Sequence, residues 1–278
     1  MPHTYTNGIV TFYEDAGDGP VVVLIHGYAG DLGTWDYQVQ PLVAAGFRVV
    51  RYDLRGHGRS MIAPNGYTWE ERAADLNDLL ARLNVERPAT ESLSVEAAHV
   101  VGISMGGGIA LQFALQYPAQ TLSLTFVDAV LPGLMLGGET TRRFGELVQA
   151  VHSEGARAAF DRVWLGHPFF DGVRRFPDRF KQLREAVIAY EAPEMREGAT
   201  PPDYHADLTP RLAEIEAPAL VVVGENDDLA FHQIAGMLVD GLPRARQVVL
   251  PDCWHMAPIE KPEEFNETLI GFLKEISI

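Results

Sequence analysis

The chain has 278 residues, 47% hydrophobic and 22% charged, a balance that suits a soluble globular protein of one or two domains. Its formal net charge of −16 argues against nucleic acid and anionic membranes as partners, since both need clustered Lys and Arg. A single cysteine, Cys253, rules out an internal disulfide. Together with an N-terminus that lacks the regions of a secretory signal, and with no apolar run near the roughly 18 residues of a bilayer span, it predicts a cytoplasmic protein.

In chain order, Asn7-Gly8 in YTNGIVTFYED is a hairpin signal ahead of a β-rich run. VVVLIHG (21–27) is short, apolar and ends in a turn. FRVVRYD (47–53), HVVGIS (99–104), LSLTFVD (122–128), ALVVVGE (219–225) and RQVVLPD (246–252) repeat that pattern. Such runs predict parallel strands buried on both faces. Trp69, Ala73, Leu76, Leu80 and Leu83 recur at helical spacing, as do Phe265, Leu269, Phe272 and Ile276. An Ala- and Leu-rich stretch, 105–117, stops at Pro118. Strands alternating with helices predict an α/β fold with a doubly wound, mostly parallel central sheet and helices on both faces. The rhythm breaks over 132–217, which carries no clear strand but holds FDRVWLGHPFF (160–170) and the breakers Pro193, Pro201 and Pro202. It is predicted to be a helical insertion over a core made of 1–131 and 218–278.

GISMG (102–106) places Ser104 between an apolar strand and a helix. In that context G-x-S-x-G describes a sharp turn that lifts a serine hydroxyl above the sheet, with glycines where strand and helix pass closely. The competing reading is a serine that merely caps the helix. A serine nucleophile needs a base, and the base an orienting acid. His26, His57 and His99 precede the serine or sit on the strand leading to it, and His152, His167 and His205 fall in the insertion. His255 follows the last strand in a loop, where open α/β sheets carry their chemistry. His232 starts a helix and reads as a cap or pocket-rim residue. For the acid, GENDD offers Asp227, with Asp228 and Asp128 as alternatives. Backbone N–H groups of Tyr28 and Met105 are placed to form an oxyanion hole. HGYAGDLG lacks a nucleotide-binding pattern, and no metal-ligand cluster is evident, so neither cofactor nor metal is implied.

HGYAGDLGTW, YDLRGHGRS, GISMGG, GENDD and WHMAPIEKPEEFN, in this order over nearly the whole chain, resemble the α/β-hydrolase superfamily. The match is nearest to its small esterases, enol-lactonases and cofactor-free haloperoxidase-like members. The resemblance implies the α/β-hydrolase fold with an inserted helical cap. It also implies a triad of Ser104, Asp227 and His255, with Tyr28 and Met105 as oxyanion donors. YDLRGHGRS is implied to be a structural turn, which leaves His57 outside the chemistry. Dehalogenases and typical epoxide hydrolases of this fold use an aspartate nucleophile, so the serine argues against those activities.

The expected function is hydrolysis of a small carboxylic ester, through an acyl-enzyme, on an apolar or aromatic substrate. Trp35, Leu131, Trp164, Phe169 and His232 are the expected pocket residues, with Phe160 and Phe170 nearby in the cap. Aromatics in the cap equally suit simple anchoring to the sheet. Lactone hydrolysis, or carbon–carbon cleavage of ring-fission products, would use the same triad. A ligand receptor on this fold is the reading from another class. The expected partner is a small ester or lactone, and the sequence sets no oligomeric state.

Overall fold

The computed structural model describes residues 3–86, 97–134, 138–195 and 207–276. Pro201, Pro202 and His205 lie outside the described residues. Eight strands run β1 (His3–Thr6), β2 (Ile9–Ala16), β3 (Val21–Ile25), β4 (Arg48–Tyr52), β5 (Ala98–Ile103), β6 (Thr121–Val127), β7 (Ala219–Gly224) and β8 (Ala245–Leu250). They form one sheet in the order β1-β2-β4-β3-β5-β6-β7-β8. The pairs β1/β2 and β2/β4 are antiparallel, and the rest of the sheet is parallel. Asn7 (φ 38°) and Gly8 (φ 84°) make the predicted hairpin turn, both with the positive φ that a tight two-residue connection requires.

All residues of β3, β5 and β7 are buried, as their unbroken apolar runs predict. β8 departs from that expectation. It is an edge strand, its residues 245–249 are partly or fully exposed, and Val249 is 48% exposed. Among the described residues only β7 pairs with it, and its Arg246 turns outward to bond Glu275.

Helices α1 (Asp36–Ala44), α2 (Trp69–Glu86) and α3 (Met105–Gln116) alternate with the first strands. α2 buries Ala73, Leu76, Leu80 and Leu83 on one face and carries Glu70 and Glu71 in its first turn, where acidic groups suit the helix dipole. α3 is apolar nearly all round, and residues 105–114 are buried, as a helix packed between layers must be. Between β6 and β7 lie α4 (Gly138–Glu154), α5 (Ala156–Ala159), α6 (Asp171–Arg174) and α7 (Pro177–Ala189). A widened turn of π geometry, Phe160–Trp164, follows α5 and buries both of those rings. The chain closes with α8 (Leu229–Gly241), α9 (Ala257–Glu260) and α10 (Pro262–Ile276). No helix among the described residues is long and apolar enough to cross a membrane.

β4 and β5 lie on opposite sides of β3, so the chain switches direction across the sheet between them. Open α/β sheets form their crevice at the carboxyl ends of strands at such a point. The segments leaving β3, β5, β6, β7 and β8 bring Tyr28, Ser104, Asp128, Asp227 and His255 to that edge.

Candidate active site

Ser104 sits between β5 and α3 with φ 53° and ψ −117°, a left-handed conformation costly for a residue with a Cβ. The surroundings enforce it. Its N–H donates to the Val127 carbonyl at 2.9 Å, and its carbonyl accepts from the N–H of Val130 at 3.1 Å. A Cβ on Gly102 would collide with the Gly106 carbonyl, and one on Gly106 with the Ile25 carbonyl. Glycine at both positions therefore lets strand, turn and helix approach closely. The Ser104 hydroxyl makes no capping hydrogen bond, so the cap reading does not describe this turn.

His255 and Asp227 are both buried, and Nδ1 of His255 lies 2.8 Å from Oδ2 of Asp227. The Asp227 Oδ1 accepts from the Asp228 N–H at 2.8 Å. Asp228 serves the fold instead: it caps α8 through the Ala230 N–H and accepts from the Thr140 hydroxyl of α4. Phe169 stacks on the His255 ring at 4.2 Å, and Phe231 lies 4.5 Å away. The imidazole is thus clamped in an apolar slot with one edge on a carboxylate. Ser104 and His255 line one cavity, although no hydrogen bond joins them among the described residues. Such bonds often tighten only once substrate is bound.

Asp128 adds a second carboxylate. Its Oδ1 accepts from the Gly224 N–H at 2.9 Å, and its Oδ2 is buried without a hydrogen-bond partner. Donor atoms of Asp128, Asp227 and His255 all lie within 4.8 Å of one another. A cation held there would compete for the two atoms already hydrogen-bonded to each other. Burial, and then the charge of Asp227, push the Asp128 carboxyl well above its ordinary range. Both causes favour the neutral form of the Asp128 carboxyl.

Two supporting features surround the site: one was not expected from the sequence, and the other gives substance to the structural turn expected around His57. Glu260 is buried, and its carboxylate accepts from the N–H groups of Trp254 and Met256, at 2.8 and 2.9 Å, on either side of His255. Burial raises its pKa while those two N–H groups oppose the rise. The other feature is a pair of histidines. His26 accepts from the Leu54 N–H and bonds the Gly27 carbonyl; His57 accepts from the Ala29 N–H and bonds the Arg55 carbonyl. Burial lowers both pKa values, which keeps the rings neutral and able to accept at one nitrogen while donating at the other. They stitch the Gly27–Ala29 loop to the turn after β4. Gly27 then abuts the serine, since a Cβ there would lie 3.3 Å from that of Ser104. Met105 opens α3, where the helix itself supplies no acceptor for its N–H.

A cavity of about 410 Å³ opens at Ser104 between the sheet edge and the helices that lie between β6 and β7. Tyr28, Met105, Leu131, Trp164 and Phe169 line it, together with Phe144 and Phe231. Two expected pocket residues are corrected. Trp35 is fully buried and faces Phe265 of α10, with its ring 6.2 Å away, so it belongs to the core. His232 is on α8 but does not line the cavity; the helical phase turns its neighbour Phe231 inward instead. Phe160 packs against Tyr28 and Tyr190 behind the wall, and Phe170 borders a smaller space beside His255.

A family model described as alpha/beta hydrolase fold matches residues 20–262. The chain belongs to that family and is a hydrolase. It is 29% identical over 269 residues to a 2-hydroxy-6-oxononadienedioate/2-hydroxy-6-oxononatrienedioate hydrolase of Paraburkholderia xenovorans (strain LB400), covering 94% of this chain and 89% of the relative. Its structure is similar to that of the enol-lactonase from Burkholderia xenovorans LB400, with a TM-score of 0.82 and 26% identity over 98% of this chain and all (100%) of the other. A thermophilic esterase from Thermogutta terrifontis matches with a TM-score of 0.80 and 26% identity over 99% of this chain and 97% of the other.

Proposed function

We propose that the chain hydrolyses neutral carboxylic esters through Ser104, His255 and Asp227. His255 takes the hydroxyl proton at Nε2 as the Ser104 Oγ bonds to the carbonyl carbon. The N–H groups of Tyr28 and Met105 stabilise the oxyanion. The imidazolium, oriented by Asp227, then protonates the leaving oxygen as its bond to carbon breaks. Water, deprotonated by His255, attacks the acyl-enzyme; the proton returns to Ser104 and the carboxylic acid leaves.

The observation that carries this reading is the buried 2.8 Å Asp227–His255 bond beside the cavity of Ser104. The larger cavity supports a neutral substrate, because no Lys, Arg or His is among its described lining residues. The Paraburkholderia relative is named for dioates, which carry two carboxylates. Such substrates are best held by fixed cations. A lactone is a cyclic ester and would follow the same steps, a second reading supported by the likeness to the enol-lactonase.

The test is acid release from methyl, ethyl and p-nitrophenyl esters, from lactones and from a ring-fission dienoate, with wild type and Ser104→Ala. Serine-dependent turnover of esters or lactones is expected. Turnover confined to the dienoate would transfer the function to carbon–carbon hydrolysis. Ester turnover that survives in Ser104→Ala would remove the serine from the mechanism.

A further inference from the structure

Ser104 stands between two spaces of very different size. The first is the cavity of about 410 Å³, which runs over Met105 past Leu131 and Phe144 toward Thr140 and Phe231. The second is a narrow, partly open space of about 30 Å³ bordered by His255, Thr34, Phe170, Leu183 and Val187. His255 lines the second and is not among the described residues lining the first. A space of about 30 Å³ holds roughly one or two water molecules, whereas pockets for small organic ligands begin near 300 Å³.

The chemistry decides which part of an ester goes where. The leaving oxygen receives its proton from the histidine, so the leaving group must lie on the His255 side. Deacylation puts the attacking water in the same place, because water replaces the departed alcohol and gives its proton to the same nitrogen. A space about the size of water suits that step. It also limits what can depart. The acyl chain has the other cavity, which is larger, mostly apolar and not lined by His255 among the described residues.

We infer that the preferred substrates are strongly asymmetric esters: a medium-length or aryl acyl group on a leaving alcohol no larger than about methanol or ethanol, a limit set by the volume a small cavity admits. This rests on the ester reading above. The reaction is R–CO–OCH₃ + H₂O → R–COOH + CH₃OH, with the acyl group held on Ser104 Oγ between the two halves. Two walls set the limit. Thr34 belongs to the core, while Leu183 and Val187 come from α7 of the cap. Leu183 is buried, so a longer alcohol would have to displace a packed side chain.

Methyl octanoate and heptyl acetate are isomers with the same ester group reversed, so they compare orientation at equal size. With the wild-type chain, kcat/KM for methyl octanoate should exceed that for heptyl acetate by at least about tenfold, the effect of a methylene or more that a pocket cannot accept. Rates for methyl, ethyl, propyl and butyl octanoate should fall in that order. Leu183→Ala should raise butyl octanoate relative to methyl octanoate by about tenfold. Leu131→Trp should shift the acyl preference toward shorter chains. Equal rates for the isomers, or faster heptyl acetate, with turnover still dependent on Ser104, would overturn the asymmetry and leave the ester reading intact. No turnover of any ester, with no labelling of Ser104 by a fluorophosphonate, would overturn both.

Discussion

At Ser104 the backbone has no latitude. The residue is held at φ 53° by hydrogen bonds to Val127 and Val130, and a Cβ on either flanking glycine would strike a backbone carbonyl. Across the cavity the cap presents Trp164, Phe169 and Leu183, which keep their places by side-chain packing. A change of one atom at Gly106 strikes backbone, which cannot move aside, whereas a change at Leu183 strikes other side chains, which can repack. The difference teaches how the two sides of the cavity are held: the sheet edge fixes Ser104 through its backbone, and the helices between β6 and β7 fix the shape around it by side-chain packing. Phe169 belongs to both, because it lines the cavity and stacks on His255.

The sharpest test of this division is Ser104→Ala, which should lower kcat by about 10⁴ to 10⁶ while leaving the thermal transition nearly unchanged. Asp227→Asn should cost about 10⁴ in kcat, because it removes the charge that orients the imidazole. Asp128→Asn should stay within about threefold of wild type at neutral pH, since burial and the Asp227 charge favour the neutral acid, which the amide resembles. Comparable losses in the two Asn variants would mean that the carboxylates share the work. Glu260→Gln should lower kcat by about tenfold with KM little changed, because one of its two backbone donors then faces an amide NH₂ and the His255 loop shifts. Leu183→Ala should change the ranking of esters more than the best rate; a loss as deep as that of Ser104→Ala would break the division.

The smallest effect concerns stability. The folded-state pKa of Asp128 is raised, so its contribution to stability is full in acid and is lost as pH rises through that pKa. Asp128→Asn lacks this titration and should gain on wild type as pH rises, by a few degrees in Tm at most, roughly what about 1 kcal/mol produces in a domain of this size. A constant Tm difference from acid to neutral pH would show that Asp128 is charged in the fold.

The strands and the hairpin were legible because unbroken apolar runs and Asn7-Gly8 have few alternative uses. Ser104, Asp227 and His255 were legible as positions after β5, β7 and β8, and the structure brings the last two into contact. The failures share a cause. Trp35 and His232 were assigned by nearness in sequence, but helical phase decided both, sending Trp35 into the core and turning Phe231 inward. Glu260 and the neutral pair His26 and His57 act on backbone amides, and no sequence pattern records which amide a side chain will reach. Asp128 could be named but not assigned, because its protonation depends on burial and on Asp227 across the fold.

The strand order also has a consequence for biosynthesis. β3, β4, β5 and β6, which shape the turn at Ser104, are adjacent in the sheet and all precede the cap, whereas β7 and β8, with Asp227 and His255, follow it. About 150 residues separate the serine from the histidine, so at roughly 5–20 residues per second a ribosome needs on the order of 10–30 s to travel between them. During that interval the emerging chain carries Ser104 without Asp227 and His255. The last segments translated are the ones that complete the cluster of side chains at the sheet edge.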